Sequence, residues 1–194
     1  GVDTNEKPLG GADALVRTRS GGVTVKDDRV RKTTSNPVVT QFQKRKRRLL
    51  PRWEAPGELY HVRSSTLPGR PEDLTAPANA EIIREVLHYD DGRRYELHCY
   101  VIMPDHFHAL LRPLCRGDGA VPLSEIMQAI KSISARRINR LSGACGSLWL
   151  DDGYTRMIRC DEEYKETWHY IRCNPIKAGY VDIPEDWACW WSRR

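Results

Sequence analysis

One apolar stretch that carries two closely spaced histidines decides how this chain folds, and it reads Tyr100-Val101-Ile102-Met103-Pro104-Asp105-His106-Phe107-His108-Ala109-Leu110-Leu111-Arg112. Successive side chains of a strand point to opposite faces, so His106 and His108 project from one face and Phe107 from the other. Two imidazoles side by side make half of a site for a divalent metal ion. Ordinary strand histidines that only form hydrogen bonds show the same spacing, so the pair leaves both interpretations open.

A second stretch, Trp168-His169-Tyr170-Ile171-Arg172-Cys173-Asn174-Pro175, lies at the end of a helical pattern. Residues four apart on a helix share a face, so Tyr170 and Asn174 are predicted to point the same way. The amide oxygen of Asn174 can serve as a third ligand of a magnesium-type ion. The alternative for Tyr170 is an aromatic side chain that packs on an amphipathic helix.

Hydrophobic periodicity predicts alternating strands and helices after residue 57. The strands are predicted at 58–65, 95–102, 106–112 and 154–158, and the helices at 78–88, 123–141 and 161–173. Asn79 and Asp161 are expected to cap their helices. The inward side chains of the second strand are expected to be Leu97, Cys99 and Val101.

Charge divides the chain of 194 residues into an arm and one domain. Residues 1–50 hold 12 Lys and Arg against 5 Asp and Glu, so the arm carries all of the net basicity. We expect a flexible arm at 1–56 and a folded domain at 57–194. The arm contains five consecutive cations, Lys44, Arg45, Lys46, Arg47 and Arg48. They suit binding to phosphates, and the alternatives are a solvated charge run or a targeting-like tag.

Two further segments suggest contacts with nucleic acid. The helix at 123–141 carries a predicted basic ridge, or simply a solvated face, formed by Lys131, Arg136, Arg137 and Arg140. The aromatic C-terminal tail is expected either to pack on the core or to stack unpaired bases, and its aromatic residues are Tyr180, Trp187, Trp190 and Trp191.

The compartment is expected to be the cytoplasm. No apolar run approaches the length of a membrane span, and no signal peptide is visible at the N-terminus. The six cysteines form no Cys-x-x-Cys pair, so we expect reduced thiols, several of them buried.

Several motifs occur in a fixed order over roughly residues 57 to 190. They are Tyr60-His61-Val62, Leu67-Pro68-Gly69-Arg70, Met103-Pro104-Asp105-His106-Phe107-His108, Leu123-Ser124-Glu125-Ile126-Met127, Ser147-Leu148-Trp149, Tyr170-Ile171-Arg172-Cys173-Asn174-Pro175-Ile176-Lys177-Ala178-Gly179 and Pro184-Glu185-Asp186-Trp187. The ordered set resembles the single-tyrosine HUH transposases, in the branch associated with repetitive extragenic palindromes.

The resemblance implies an α+β fold, a ferredoxin-like antiparallel sheet with helices packed on it. It implies that His106 and His108 bind a divalent metal ion, Mg²⁺ or Mn²⁺, with Asn174 as a further ligand and Tyr170 as the nucleophile. Enzymes of this family form a 5′-phosphotyrosine and leave a free 3′ hydroxyl on single strands that flank imperfect hairpins. The implied partner is hairpin-bearing single-stranded DNA, bound by a nucleoid-associated monomer or homodimer.

The chain departs from the family pattern at three places. Asp105 stands where the family usually has Asn, and Leu150 where it usually has Gln. Neither position is catalytic in the family, so we expect an altered metal environment or altered base contacts. The basic arm is also longer than the family norm.

Three functions stay open at this level. The first is a metal-dependent single-strand DNA endonuclease and strand transferase. The second is a domesticated, non-cleaving protein that binds hairpin DNA, and the third is a metal-dependent protein that binds or cuts RNA. Intact His106, His108 and Tyr170 favour the first, because a pure binding protein does not need them.

Overall fold

The computed structural model describes residues 57–117, 119–151 and 153–193. The predicted arm at 1–56, with its cationic run from Lys44 to Arg48, lies outside them. The helices are α1 (Pro77–Tyr89), α2 (Leu123–Ser142), α3 (Asp161–Arg172) and α4 (Asn174–Lys177). The strands are β1 (Leu59–Ser65), β2 (Tyr95–Met103), β3 (His106–Pro113), β4 (Cys115–Arg116), β5 (Gly119–Ala120), β6 (Tyr154–Ile158) and β7 (Trp190–Ser192). No helix in the described ranges is long and apolar enough to cross a membrane.

Five strands form one antiparallel sheet in the order β6-β1-β3-β2-β7, while β4 and β5 pair separately. Along the chain the first elements follow the pattern strand, helix, strand, strand, helix, strand, with β1 and β3 inside the sheet. This is the ferredoxin-like arrangement, so the predicted α+β fold is confirmed. The short strand β7 extends the sheet beyond β2.

Strand β3 is central because β1 and β2 pair with its two edges. The turn at Pro104-Asp105 joins β2 to β3, so that Met103 lies opposite His106. A connection this short produces antiparallel neighbours, as the sequence predicts. The histidine strand is thus held from both sides.

Alternation along β3 sends its side chains to two different cores. Phe107 faces α1 and α2, where its ring meets Trp149 edge-on at 5.4 Å between centroids. His106 and His108 face the other way, on the side where Leu110 packs with Ile171 of α3. The sheet therefore separates the larger core from the histidine face.

Strand β2 is buried on both faces. Leu97, Cys99 and Val101 are all buried, but the prediction that they share one face is wrong, because a bulge between Leu97 and Cys99 places Leu97 on the other face. Leu97 packs with Tyr100 and Ile102 on the face that α1 and α2 cover, and Cys99 and Val101 lie on the histidine face. In a strand with one face exposed to solvent, buried and exposed side chains would alternate. The continuous burial of β2 shows that both of its faces are covered.

Two predicted helix caps are wrong. Helix α1 begins after Ala76, and the Asn79 side chain instead donates from Nδ2 to the Asp73 carbonyl oxygen at 2.8 Å. Helix α3 begins after Cys160, so Asp161 lies in the first turn rather than at the cap. Its carboxylate is still near the positive end of the helix dipole.

The aromatic tail packs on the core. Trp191 stacks on Tyr100 with ring centroids 5.6 Å apart, and Trp187 donates from Nε1 to the Ile102 carbonyl oxygen at 2.9 Å. Tyr180 is different, since 53% of it is exposed. Core packing is therefore the outcome for the two tryptophans.

The six cysteines are free thiols, as predicted. Cys99 and Cys189 are buried, whereas Cys115, Cys145 and Cys160 are exposed. Burial raises the pKa of the Cys189 thiol, which keeps it protonated and unreactive.

Candidate active site

The two histidines of β3 lie together on the face of the sheet that α3 covers. His108 is buried and His106 is half-buried, and their ring centroids are 5.0 Å apart. The pairing of β3 with β1 and β2 fixes the backbone on both sides of the pair. The structure thus brings the two imidazoles together as strand alternation predicts.

A third histidine, from the Tyr60-His61-Val62 motif of the first strand, belongs to the same cluster, although the sequence gives it no role there. His61 is buried, and its Nε2 lies 2.8 Å from His108 Nδ1, so the two nitrogens share a hydrogen bond. Alternation along β1 places His61 and Arg63 on one face. That signal is visible in the sequence, but it points to His108 only once β1 is known to pair with β3.

Asp105 holds the other imidazole. His106 Nδ1 donates to Asp105 Oδ1 at 2.6 Å, and this bond is the main cause of a lowered pKa at Asp105. A carboxylate in this position fixes the tautomer and the orientation of a ligating histidine. With both Nδ1 atoms engaged, Nε2 is the nitrogen that His106 and His108 retain for a metal ion. Asp105, which stands where the resemblance leads us to expect Asn, therefore orients the His106 ring through a charged hydrogen-bond acceptor.

Burial keeps the imidazole cluster uncharged. Burial, followed by the neighbouring imidazoles and Arg63, lowers the pKa of His108 to about 2. Burial, followed by Arg156 and Arg63, lowers the pKa of His61 to about 4. Burial also lowers the pKa of His106. Neutral imidazole is the form that coordinates a metal, so the cluster is in that form at neutral pH.

Tyr170 of α3 lies beside the cluster. Its ring centroid is 5.7 Å from that of His108 and 6.0 Å from that of His61. The residue is 41% exposed, so its phenol is accessible from solvent. Lys177 places its Nζ 4.4 Å from the centre of the Tyr170 ring, where a cation is attracted to the π-system and to any negative charge on the oxygen.

Asn174 contacts Tyr170, although not in the way that one continuous helix would produce. Helix α3 ends at Arg172, and Asn174 opens the short helix α4, where Pro175 is tolerated in the first turn. The Asn174 Nδ2 donates to the Tyr170 carbonyl oxygen at 3.1 Å. This bond orients the amide and leaves its oxygen available.

His61, His108 and Tyr170 line a cavity of about 430 Å³, whereas His106 and Asn174 are not among its lining residues. Cations outnumber anions on its wall, which suits a phosphate group. The lining residues are His61, Arg63, His108, Tyr154, Arg156, Glu166, Thr167 and Tyr170.

The basic residues of α2 do not form the single ridge predicted from the sequence. Lys131 donates to the backbone carbonyl oxygens at 150–151, at 2.5 and 3.3 Å, on one flank of the helix. Arg137 forms an ion pair with a glutamate of α1 on the other flank. Arg136 and Arg140 are exposed. Helix α2 packs against the sheet face opposite the histidines, so these cations lie away from Tyr170.

A divalent ion fits the residues present if substrate or solvent completes its shell. Among residues 57–117, 119–151 and 153–193, no group of three or more histidine, cysteine or carboxylate side chains is placed to hold a metal. Two neutral imidazoles and one amide oxygen are available, from His106, His108 and Asn174. Magnesium-type ions commonly take their remaining ligands from water and phosphate oxygens.

Comparison with known families gives one match, to the model described as "Transposase IS200 like", over residues 72–173. The matched range covers more than half of the chain. It includes His106, His108 and Tyr170, and it ends immediately before Asn174.

Similar proteins carry related names. The chain is 29% identical over 97 residues to the REP-associated tyrosine transposase of Escherichia coli K12, covering 49% of this chain and 53% of the relative. It is 27% identical over 99 residues to a putative REP-associated tyrosine transposase of Haemophilus influenzae, covering 48% and 56%. The matched part of the chain thus spans about half the length of these curated relatives.

A solved structure shares the fold. It is that of a REP-associated tyrosine transposase bound to a REP hairpin, with a TM-score of 0.59 at 22% identity. The similarity covers 73% of this chain and 80% of the other. Identity at this level supports the fold alone.

Proposed function

Since the chain belongs to the IS200-like transposase family, we propose that it is a metal-dependent endonuclease and strand transferase that cleaves single-stranded DNA beside a hairpin. The observation that carries this proposal is the half-exposed Tyr170 phenol beside the buried, neutral imidazole of His108, which adjoins the half-buried imidazole of His106. A protein that only binds hairpins gains nothing from that arrangement. The arrangement brings a nucleophile and one candidate metal ligand, His108, to the same cavity, and His106 adjoins His108.

Tyr170 is the proposed nucleophile. Its oxygen attacks the scissile phosphorus and forms a 5′-phosphotyrosine, and the bond from phosphorus to the 3′ oxygen breaks. The phenol loses its proton and the released 3′ oxygen gains one, so the step needs no further reactant. Lys177 favours this step because its charge, 4.4 Å from the ring centre, stabilises negative charge on the attacking side chain.

The proposed metal ligands are His106 and His108 through Nε2, and Asn174 through its amide oxygen. A bound Mg²⁺ or Mn²⁺ would neutralise charge on the phosphate and polarise it. Asp105 and His61 position the two imidazoles through their hydrogen bonds to Nδ1. Arg63 and Arg156, on the wall of the same cavity, attract the backbone of the strand.

The proposed substrate is single-stranded DNA that carries a palindromic hairpin. The similar structure holds a REP hairpin, and the curated relatives carry REP-associated names. Arg136 and Arg140 of α2 are exposed on the far side of the sheet, where they can contact a duplex stem but not the strand at Tyr170. The cationic run Lys44 to Arg48 is proposed to add phosphate contacts.

Changing Tyr170 to Phe tests the proposal. The substitution removes the attacking oxygen and little else, so hairpin binding should survive while cleavage and the covalent protein–DNA band disappear together. The assay is denaturing electrophoresis of labelled hairpin DNA after incubation with Mg²⁺ or Mn²⁺. Tyr180→Phe is the matched control, because Tyr180 is an exposed tyrosine that packs on Trp187 away from the histidines.

Two results would count against this function. A covalent adduct that persists in Tyr170→Phe and maps to another tyrosine would remove Tyr170 from its role. Absence of any adduct in the wild type, over hairpins with varied flanks and both metals, would favour the hairpin-binding protein.

A further inference from the structure

A second cavity, of about 530 Å³, lies between α2 and the edge strand β6. It shares two wall residues, Arg63 and Tyr154, with the cavity that contains Tyr170. The two cavities therefore adjoin each other at Arg63 and Tyr154, at the start of the edge strand β6. A volume in the range of about 300–1,000 Å³ is that of a small-ligand site and is too small for a duplex.

Two polar atoms at this junction have no partner within the part of the chain that the structure describes. Ser64 is 1% exposed and lines the second cavity, and its Oγ makes no hydrogen bond. The Nε of Arg63 is buried without a partner as well. Buried polar groups in folded proteins almost always have partners, so an unsatisfied pair at a cavity wall points to a ligand.

Gly153 lets the wall come this close. A Cβ at that position would lie 2.9 Å from the Arg63 carbonyl oxygen, inside van der Waals contact with rigid backbone. Any larger residue would push the start of β6 away from β1. Glycine thus lets this segment approach Arg63 and Ser64 closely.

The walls of the second cavity suit a nucleotide. The Tyr154 ring is half-exposed at the junction and offers a stacking surface. Met127 and Trp149 supply apolar contacts, and the amide of Gln128 can pair with the edge of a base.

We propose that this cavity binds an unpaired nucleotide of the same single strand whose phosphate lies at Tyr170. The inference rests on the proposed function for the identity of the strand. Arg63 and Ser64 donate to acceptors on the nucleotide, and Tyr154 stacks on its base. The strand then runs round the sheet edge, from the histidine face to the α2 side, and its register relative to Tyr170 depends on which base fits.

Strand binding without metal tests the cavity separately from cleavage. The probe is a fluorescein-labelled single-stranded DNA with a hairpin and unpaired flanks, titrated with the full chain in EDTA and followed by anisotropy. Tyr154→Ala should weaken binding about tenfold, the size expected for loss of one base stack. Tyr89→Ala is the matched control, because Tyr89 is exposed on α1 and lines neither cavity.

Ser64→Ala distinguishes a role in binding from a role in folding, because it should lower strand affinity without lowering the melting temperature. Removing an unsatisfied buried hydroxyl should keep or raise the melting temperature of the free protein, while strand affinity falls about two- to tenfold. Ser142→Ala is its control, because that hydroxyl already donates to the Ile138 carbonyl oxygen, and strand affinity should stay at the wild-type value.

Crosslinking locates the base directly. Oligonucleotides with 5-iododeoxyuridine at successive unpaired positions should crosslink, at one position, to Tyr154, Met127 or Trp149. Crosslinks confined to other residues, or wild-type affinity in Ser64→Ala, would overturn the assignment of the cavity, because Tyr154 also lines the cavity at Tyr170 whereas Ser64 does not. If those variants lose affinity while the wild type forms no Tyr170 adduct, the cavity assignment stands and the proposed cleavage fails.

Discussion

Acid should destabilise this protein more steeply than most domains of its size, because His61 and His108 are buried as neutral rings. Their folded-state pKa values are about 4 and about 2, whereas an exposed histidine in the unfolded chain titrates near 6.5. Below pH 6.5 the unfolded chain binds more protons than the folded chain, so a fall in pH favours unfolding. The loss begins as the pH falls through 6.5 and continues toward the folded-state values.

The size of the effect follows from the two pKa differences. Between pH 7.5 and 5, each of the two rings should cost about 2 kcal/mol of the free energy of unfolding, and together they should cost about 4 kcal/mol. A typical domain has only about 5–15 kcal/mol in total. His61→Gln removes one titrating ring while its amide can still bond His108 Nδ1, so the loss should fall by about 2 kcal/mol.

Urea unfolding followed by tryptophan fluorescence at pH 7.5, 6.5 and 5 measures these losses, with EDTA present so that no metal binds the histidines. His169→Gln is the matched control, because His169 is exposed on α3. It should show the full wild-type loss. If the free energy of unfolding of the wild type changed by less than about 1 kcal/mol over this range, or if His61→Gln kept the full loss, the reasoning from buried neutral rings would be refuted.

Two other predictions concern DNA. His106→Ala or His108→Ala should abolish cleavage and leave hairpin binding largely intact, because contacts to the DNA backbone supply most of the affinity. Equal cleavage by both variants and the wild type would show that these histidines do not bind the metal. Deleting residues 1–50 should weaken hairpin binding and make the plot of log affinity against log salt less steep. The slope should change by roughly 0.7 for each lost contact to a single-strand phosphate, or by roughly 0.9 for each lost contact to a duplex phosphate. An unchanged slope would mean that the cations from Lys44 to Arg48 touch no phosphate.

Local patterns in the sequence located the elements well. The predicted strand at 154–158 matches β6, and the predicted helix at 123–141 differs from α2 by one residue at its end. Period-2 alternation also placed His106 and His108 on one face. These features depend on neighbours within a few residues, which is why composition and spacing reveal them.

Caps and helix ends were harder to predict. Asn79 and Asp161 are good capping residues by type, but the chain enters α1 and α3 from directions that loop packing decides. The helix of Tyr170 is predicted to end at 173, and α3 ends one residue earlier, at Arg172. Asn174 opens a new helix whose first side chain donates back to the Tyr170 carbonyl oxygen, a contact that its spacing from Tyr170 does not reveal.

The sequence by itself determined that His106 and His108 occupy one face of their strand, and therefore that two imidazoles lie side by side. Only the tertiary structure decided which strands are neighbours and that Tyr170 of α3 lies beside the histidines. His61 meets His108 across 47 residues because β1 pairs with β3. Arg63 and Tyr154 line the same two cavities because β6 pairs with β1. Strand order depends on how all the helices cover both faces of the sheet, so no spacing along the chain encodes it.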